Sequence, residues 1–302
     1  MKRERFHEIT KSTAASCSGV LAVSFLDLTS GDSFCFNGDT PVPAASTCKV
    51  FILLELYRQA ALGLVDLHQR IALTEENKTV GTGILNDMEP GLMPTLKDYA
   101  GLMVSISDNT AADTLYRHLT AASIQENVLR PLGLTGTKLD LCCRDMISSY
   151  YGTPVIPGEN SELYFKRVSV ADRKNPYFSC TSARNTSTTA NDMTKALKAA
   201  YLGTLCGGKS DGMMDILQNC QTNARIPALL PAKTSCYHKT GSLDRVSNDA
   251  GIVRTPKGDY ILSLFYNGNM ASDEEYEANR GRTLSDPMLA KLSLDIYTAY
   301  MA

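Results

Sequence analysis

Strand-forming stretches stand at both ends of this chain while helical periodicity fills its middle, and that order is the strongest constraint on the fold. After a charged, helical "KRERFHEITKSTAA", the short apolar runs "GVLAVSFLD" and "SFCFN" flank the turn residues "TSGD" and read as a hairpin. The last quarter returns to strands in "SCYHKTGS", "NDAGIVRTP" and "DYILSLFYNG", then closes with the amphipathic "PMLAKLSLDIYTAYM". Between them, Val50, Leu53, Leu54, Tyr57 and Ala61 recur at helical spacing up to Gly63. Further helices follow in "TLKDYAGLMVSI", "NTAADTLYRHLT", "TAASIQENVLRPLG", "TTANDMTKALKAAYLG" and "GGKSDGMMDILQNC". The expectation is one α+β domain over 1–302, a three-layer α-β-α arrangement whose antiparallel sheet is formed from both chain ends and flanked by helices. An α/β lobe (1–45 and 205–302) would carry the sheet, with an all-α lobe (46–204) inserted. That lobe would include an extended loop at 140–185, where no period is visible.

Composition narrows the function classes. With 43% hydrophobic and 21% charged residues over 302 positions, the chain can bury a large core. A formal net charge of −2 and the lack of a long basic run argue against nucleic-acid or acidic-membrane partners. No apolar run reaches the roughly 18 residues of a membrane span. The first apolar stretch is broken by Ser24 and Asp27, so it reads as a strand rather than a secretory signal. Nine cysteines, an odd number without a C-x-x-C pair, fit reduced thiols. The sequence as written therefore predicts a cytoplasmic protein, or a periplasmic or secreted one if a leader was removed; a monomer is expected.

Three short motifs carry chemistry. Ser46 stands at a helix N-terminus with Lys49 one turn along the same face. Serine is a weak nucleophile at neutral pH, and a desolvated lysine is a proton acceptor that can activate it. Alone, the pair is more simply a helix cap followed by a surface lysine. Ser107, Asp108 and Asn109 lie on a short link between helices, and Lys239, Thr240 and Gly241 on a late strand. A cationic Lys239 beside a cleft suits an anionic substrate, and Gly241 suits a strand that a substrate backbone approaches closely.

In this order, S-x-x-K, S-D-N and K-T-G match the set found in class A β-lactamases and penicillin-binding proteins. The chain resembles the class A β-lactamases of the serine penicillin-recognising superfamily over nearly its whole length, with "NGDTPVPAAS", "RNTSTTANDM", "RIPALLP" and "HKTGSL" at equivalent places. The resemblance implies an acyl-enzyme hydrolase of β-lactams or related small carboxylate-bearing amides and esters. Ser46 would be the acylated nucleophile, Lys49 its proton-accepting partner, and Ser107 a relay to the leaving nitrogen. Asn109 would hold Lys49 and the substrate's side-chain amide, Lys239 and Thr240 would bind its carboxylate, and the backbone N–H groups of Ser46 and Ser242 would form the oxyanion hole. Asp108 reads as a cap of the following helix. No metal or organic cofactor is implied.

The chain departs from that family in the loop whose Arg-x-Glu-x-x-x-Asn arrangement activates the deacylating water. Aligning "TGTKLDLCCRDM" with it puts Leu141, Cys143 and Ile147 at the arginine, glutamate and asparagine positions, and Asn185 stands where the family carries an aspartate. Asp145, Glu159 and Glu162 are the carboxylates the loop offers instead, and Cys143 a second nucleophile, although solvated carboxylates and buried thiols are their commoner fates. His238 points away from Lys239 by strand alternation and reads as structural. Deacylation is therefore expected to be atypical. The alternatives are a β-lactam-acylated binding protein or sensor without efficient turnover, and a D-alanyl peptidase-like enzyme.

Overall fold

Both chain ends contribute to one sheet. In this computed structural model, which describes residues 3–168, 186–243, 245–268 and 282–302, helix α1 (Arg3–Ala15) precedes strands β1 (Val20–Asp27) and β2 (Ser33–Phe36). A short β3 (Val42–Pro43) and a 3-10 turn (Ala45–Cys48) lead into α2 (Lys49–Ala61). The helical middle contains α3 (Leu96–Ser105), α4 (Asn109–Leu119), α5 (Ala121–Ile124) with a π turn (Gln125–Leu129), α6 (Cys143–Tyr151) and α7 (Ser161–Arg167). Then come β4 (Ser187–Thr188), α8 (Ala190–Leu202), α9 (Asp211–Gln218), β5 (Cys236–Leu243), β6 (Val246–Thr255), β7 (Gly258–Asn267) and α10 (Arg282–Met301). The sheet runs β2-β1-β7-β6-β5 with every neighbouring pair antiparallel, the α+β arrangement that the element order predicts.

Alternation along the strands sorts two cores. On β7, Ile261 and Phe265 join the core shared with α2, α3, α4 and α8, whereas Tyr260, Leu262 and Leu264 join the one covered by α1 and α10. Helix α8 lies directly on the sheet, where the Thr194 and Ser263 hydroxyls share a buried 2.8 Å hydrogen bond. Helix α10 starts at Arg282 rather than at Pro287, where the sequence pattern suggested. Its first turns are tied down by a 2.8 Å hydroxyl pair between Ser285 and Ser247 and by Asp286, 2.7 Å from Arg225.

The segment 140–185 holds two helices in its described part, where the sequence showed no period; residues 169–185, and with them Asn185, lie outside the described residues. Its anchors are remote in sequence. The Asp113 carboxylate on α4 accepts the backbone N–H groups of Cys143 (2.6 Å) and Arg144 (2.9 Å), satisfying the open donors of α6 with a favourable charge. Asn160 caps α7 by accepting the Leu163 N–H at 2.9 Å. Ser161 takes the Gly81 N–H at 2.9 Å and gives its own N–H to Asn86 at 3.0 Å, which pins α7 to the 81–86 loop.

Asp113 also accepts the Thr79 hydroxyl at 2.8 Å and is buried. Truncation would strand several buried donors, so Asp113→Ala should lower stability by roughly 2–4 kcal/mol. Urea unfolding reads the change, and an unshifted midpoint would show that α6 is not held by this carboxylate.

Candidate active site

Ser46 lies in the 3-10 turn that opens α2, and the turn is clamped by its neighbours. Ala45 carries φ 46°, a left-handed conformation that costs an L-residue about 1–2 kcal/mol. Surrounding bonds hold it there. The Thr47 hydroxyl donates to Ala44 O (2.6 Å), the Ala44 N–H to Thr186 O (3.0 Å), and the Asn248 amide to Pro43 O (2.8 Å). Strand β5 presses against the same turn: a Cβ at Gly241 would sit 2.9 Å from Ala44 O and Thr47 N and 3.0 Å from Ser46 N. Within the protein, the close approach that calls for Gly241 is to the backbone of the Ser46 turn.

Lys49 is fully buried on the first turn of α2. Its Nζ donates to Ser107 O (2.7 Å), Ser107 Oγ (3.1 Å) and Asn109 Oδ1 (2.9 Å), one acceptor for each of its protons. Ser107 itself has φ 60° and receives the Thr82 hydroxyl on its carbonyl at 2.8 Å. Asn109 turns its amide N–H toward Val80 O at 3.1 Å. Asp108 is a cap: its carboxylate accepts the Ala111 N–H of α4 (2.8 Å) and, from the 84–85 loop, the N–H groups of Ile84 (2.8 Å) and Leu85 (3.0 Å).

On β5, Lys239 is also fully buried, with Nζ donating to Thr240 O at 2.8 Å. Burial, reinforced by the nearby Lys49 charge, pushes its ammonium down to about 7. Ser242 accepts from Arg225 Nη2 at 2.7 Å. Arg225, buried, spends its other donors on Gly241 O (3.0 Å), Asn248 O (2.6 Å) and Asp286 (2.7 Å), so it is a brace of β5 and β6. His238 is buried on its other side: Nδ1 meets Asp249 Oδ1 at 2.8 Å and Nε2 meets Asn223 Oδ1 at 3.2 Å. Burial opposes its charge, but Asp249 prevails and raises it to about 10.

These elements enclose a cavity of about 480 Å³. Ser46, Ser107, Asn109, Thr222, Thr240 and Ser242 line it, with Gly81 and Thr82 alongside, while Lys49 and Lys239 lie beneath. Its remaining lining is apolar but for one phenol: Ile106, Leu243, and from α6 and α7 Met146, Ile147, Tyr151 and Phe165. Among the described residues no carboxylate, imidazole or thiol lines it.

The four deacylation candidates lie elsewhere. Asp145 is exposed and accepts the Cys142 thiol at 3.2 Å; Glu159 is paired with Arg167 at 2.6 Å; Glu162, exposed, with Lys166 at 2.6 Å. Cys143 is buried at the start of α6, where burial and then the Asp113 carboxylate push its thiol well above the usual range. Sequence reasoning missed Thr222, Arg225 and the apolar lining. For the last, the spacing of Met146, Ile147 and Tyr151 in "DMISSYY" was the available helical signal.

The fold recurs among known proteins. A β-lactamase from Sphaerobacter thermophilus superposes with a TM-score of 0.77 at 24% identity, covering 99% of this chain and 97% of that one. A leucine-to-glutamate variant of PBP-A, solved as an acyl-enzyme complex with penicillin G, gives 0.74 at 24% identity over 99% and 96%. In sequence the chain is 25% identical to the β-lactamase PSE-4 of Pseudomonas aeruginosa over 139 residues, 46% of this chain and 48% of that protein. It thus spans about half the length of the curated relatives it matches. The profile of the group described as "Beta-lactamase enzyme family" extends much further, matching residues 4–300, and the chain therefore belongs to the β-lactamase enzyme family.

Proposed function

We propose that the chain is a serine hydrolase that forms an acyl-enzyme on Ser46, with β-lactams or related small carboxylate-bearing amides and esters as substrates. The observation that carries this reading is the convergence of Ser46, Ser107, Asn109, Thr240 and Ser242 on one cavity above two buried lysines. The PBP-A variant, which holds penicillin G as an acyl-enzyme, supports it by showing that this fold accommodates such an adduct.

Ser46 Oγ attacks the substrate carbonyl with Lys49, one turn along α2, as its proton-accepting partner. The 3.1 Å contact between Lys49 and Ser107 Oγ is the path by which a proton reaches the leaving nitrogen. Gly241 brings β5 against the Ser46 turn, so the Ser46 and Ser242 backbone N–H groups sit on adjoining segments and receive the developing oxyanion. Losing one such donor elsewhere costs about 3 kcal/mol of transition-state stabilisation. Thr240 and protonated Lys239 hold the substrate carboxylate. Water attack then needs a base, and the described lining supplies no carboxylate, so the acyl-enzyme is long-lived.

Intact mass spectrometry after mixing with benzylpenicillin tests both steps. Wild type should gain one benzylpenicillin mass that clears over many minutes, and Ser46→Ala should gain none. Rapid clearance would refute the slow step, whereas an adduct that never clears would assign the chain to the β-lactam-binding class. An adduct on Ser46→Ala would remove Ser46 from the mechanism.

The low value for Lys239 sets a pH dependence. The free protein carries this charge below about pH 7 and loses it above, so the second-order acylation constant toward an anionic substrate should fall as pH rises through that value. A bound carboxylate favours the ammonium and should move the corresponding fall at saturating substrate to higher pH. A flat profile from about pH 6 to 9 would exclude Lys239 as the carboxylate partner.

A further inference from the structure

Lys49 and Thr82 meet the same two oxygens, one residue from the buried interior and the other from the cavity. Lys49 Nζ lies 2.7 Å from Ser107 O and 2.9 Å from Asn109 Oδ1. The Thr82 hydroxyl, exposed on the cavity lining, lies 2.8 and 3.3 Å from those atoms. A hydroxyl carries one proton and turns about its C–O bond, so it can serve either oxygen.

The turn that presents Thr82 is fixed against the link that follows α3. Thr82 O accepts the Asn109 N–H at 2.9 Å, and Val80 O accepts the Asn109 side-chain amide at 3.1 Å. Gly81 and Gly83 flank it with φ of 105° and 112°. A Cβ at Gly81 would sit 2.6 Å from Asn109 Nδ2, and one at Gly83 would run into the Asp108 carboxylate. The backbone around Thr82 is thereby held, and its side chain is the part left to turn.

Acylation places a demand on these oxygens, given the reading of Ser46 as the nucleophile and Lys49 as its proton acceptor. Nζ must offer a lone pair to Ser46 Oγ and take its proton as Oγ bonds to the acyl carbon. With that lone pair engaged, Nζ has two N–H donors for the three oxygens it holds here. Ser107 Oγ can donate as well as accept, whereas Ser107 O and Asn109 Oδ1 only accept. One of these two must therefore find another donor or stand unmatched, which is costly away from water.

We propose that Thr82 is a positioning residue for the Ser46–Lys49 pair, its hydroxyl swivelling to whichever of Ser107 O and Asn109 Oδ1 the lysine releases during acylation. The hydroxyl keeps the link between α3 and α4 in place while the amine turns.

Thr82→Val removes the hydroxyl with little change of shape, and Thr82→Ser restores it. Rapid-quench intact mass spectrometry over a range of benzylpenicillin concentrations gives the limiting acylation rate and the dissociation constant of the complex that precedes it. Thr82→Val should lower the limiting rate roughly tenfold and leave the dissociation constant within about twofold of wild type. Thr82→Ser should recover most of the lost rate. Acylation of Thr82→Val at the wild-type rate, or of Thr82→Ser as slowly as Thr82→Val, overturns the proposal. So does a loss carried by the dissociation constant, which would make Thr82 a substrate contact or a support of the fold. If benzylpenicillin leaves wild type unmodified, the β-lactam reading fails, and a fluorophosphonate, which reports serine nucleophilicity without a carboxylate, is applied to the same proteins. Slower Ser46 labelling in Thr82→Val than in wild type and Thr82→Ser would uphold the role of Thr82, and equal labelling would overturn it. No Ser46 adduct from either reagent would overturn both the hydrolase reading and the proposal.

Discussion

The buried ammonium of Lys49 is the contact on which the arrangement of the site depends. A charge removed from water must be met by acceptors, and all three that Nζ reaches come from Ser107, in the link between α3 and α4, and Asn109, the first residue of α4. That link could not relax elsewhere without orphaning the lysine. The same contact explains why Ser107 tolerates φ 60°: its carbonyl is held by both Lys49 and Thr82, while Asp108 fixes the next residue by capping α4 and gathering the 84–85 loop. Strain at one residue is sustained because its neighbours are over-determined.

A second brace works from the sheet. Arg225 joins the carbonyls of Gly241 and Asn248 to the Ser242 hydroxyl, while Asn248 reaches across to Pro43 and Ala44. The edge strand β5 is thereby tied to the turn that carries Ser46, and only glycine at 241 lets the two backbones approach so closely. On the face of β5 opposite Lys239, buried His238 pairs with Asp249 at 2.8 Å. The two lysines then share a dry region with little to separate their charges, and Lys239 yields, its ammonium weakened toward neutrality.

Much of this was legible because the signals were local. The apolar run in "DYILSLFYNG", threonine caps before α3 and α8, and motif residues at helix and strand ends all act over a few positions, and each marks its element correctly. What escaped depends on partners far along the chain. Helices α6 and α7 are short, and their N-terminal groups are met by Asp113, Asn86 and Asn160, two of which lie far upstream. Nothing in "RIPALLP" itself marks Arg225 as a brace, because its partners lie on two later strands and α10. Gly241 was recognised as a point of close approach, but sequence could not say that the approaching group was the turn at Ser46.

The described part of the inserted segment turns Met146, Ile147, Tyr151 and Phe165 toward the cavity, while its Asp145, Glu159 and Glu162 carboxylates lie elsewhere. Apart from the Tyr151 phenol, the side chains of this wall take no proton from water and hold an ordered water poorly, because a buried water needs two to four polar partners. On the reading of Ser46 as the nucleophile, that wall keeps the resulting ester away from water, so polar replacements in it should shorten the life of the acyl-enzyme.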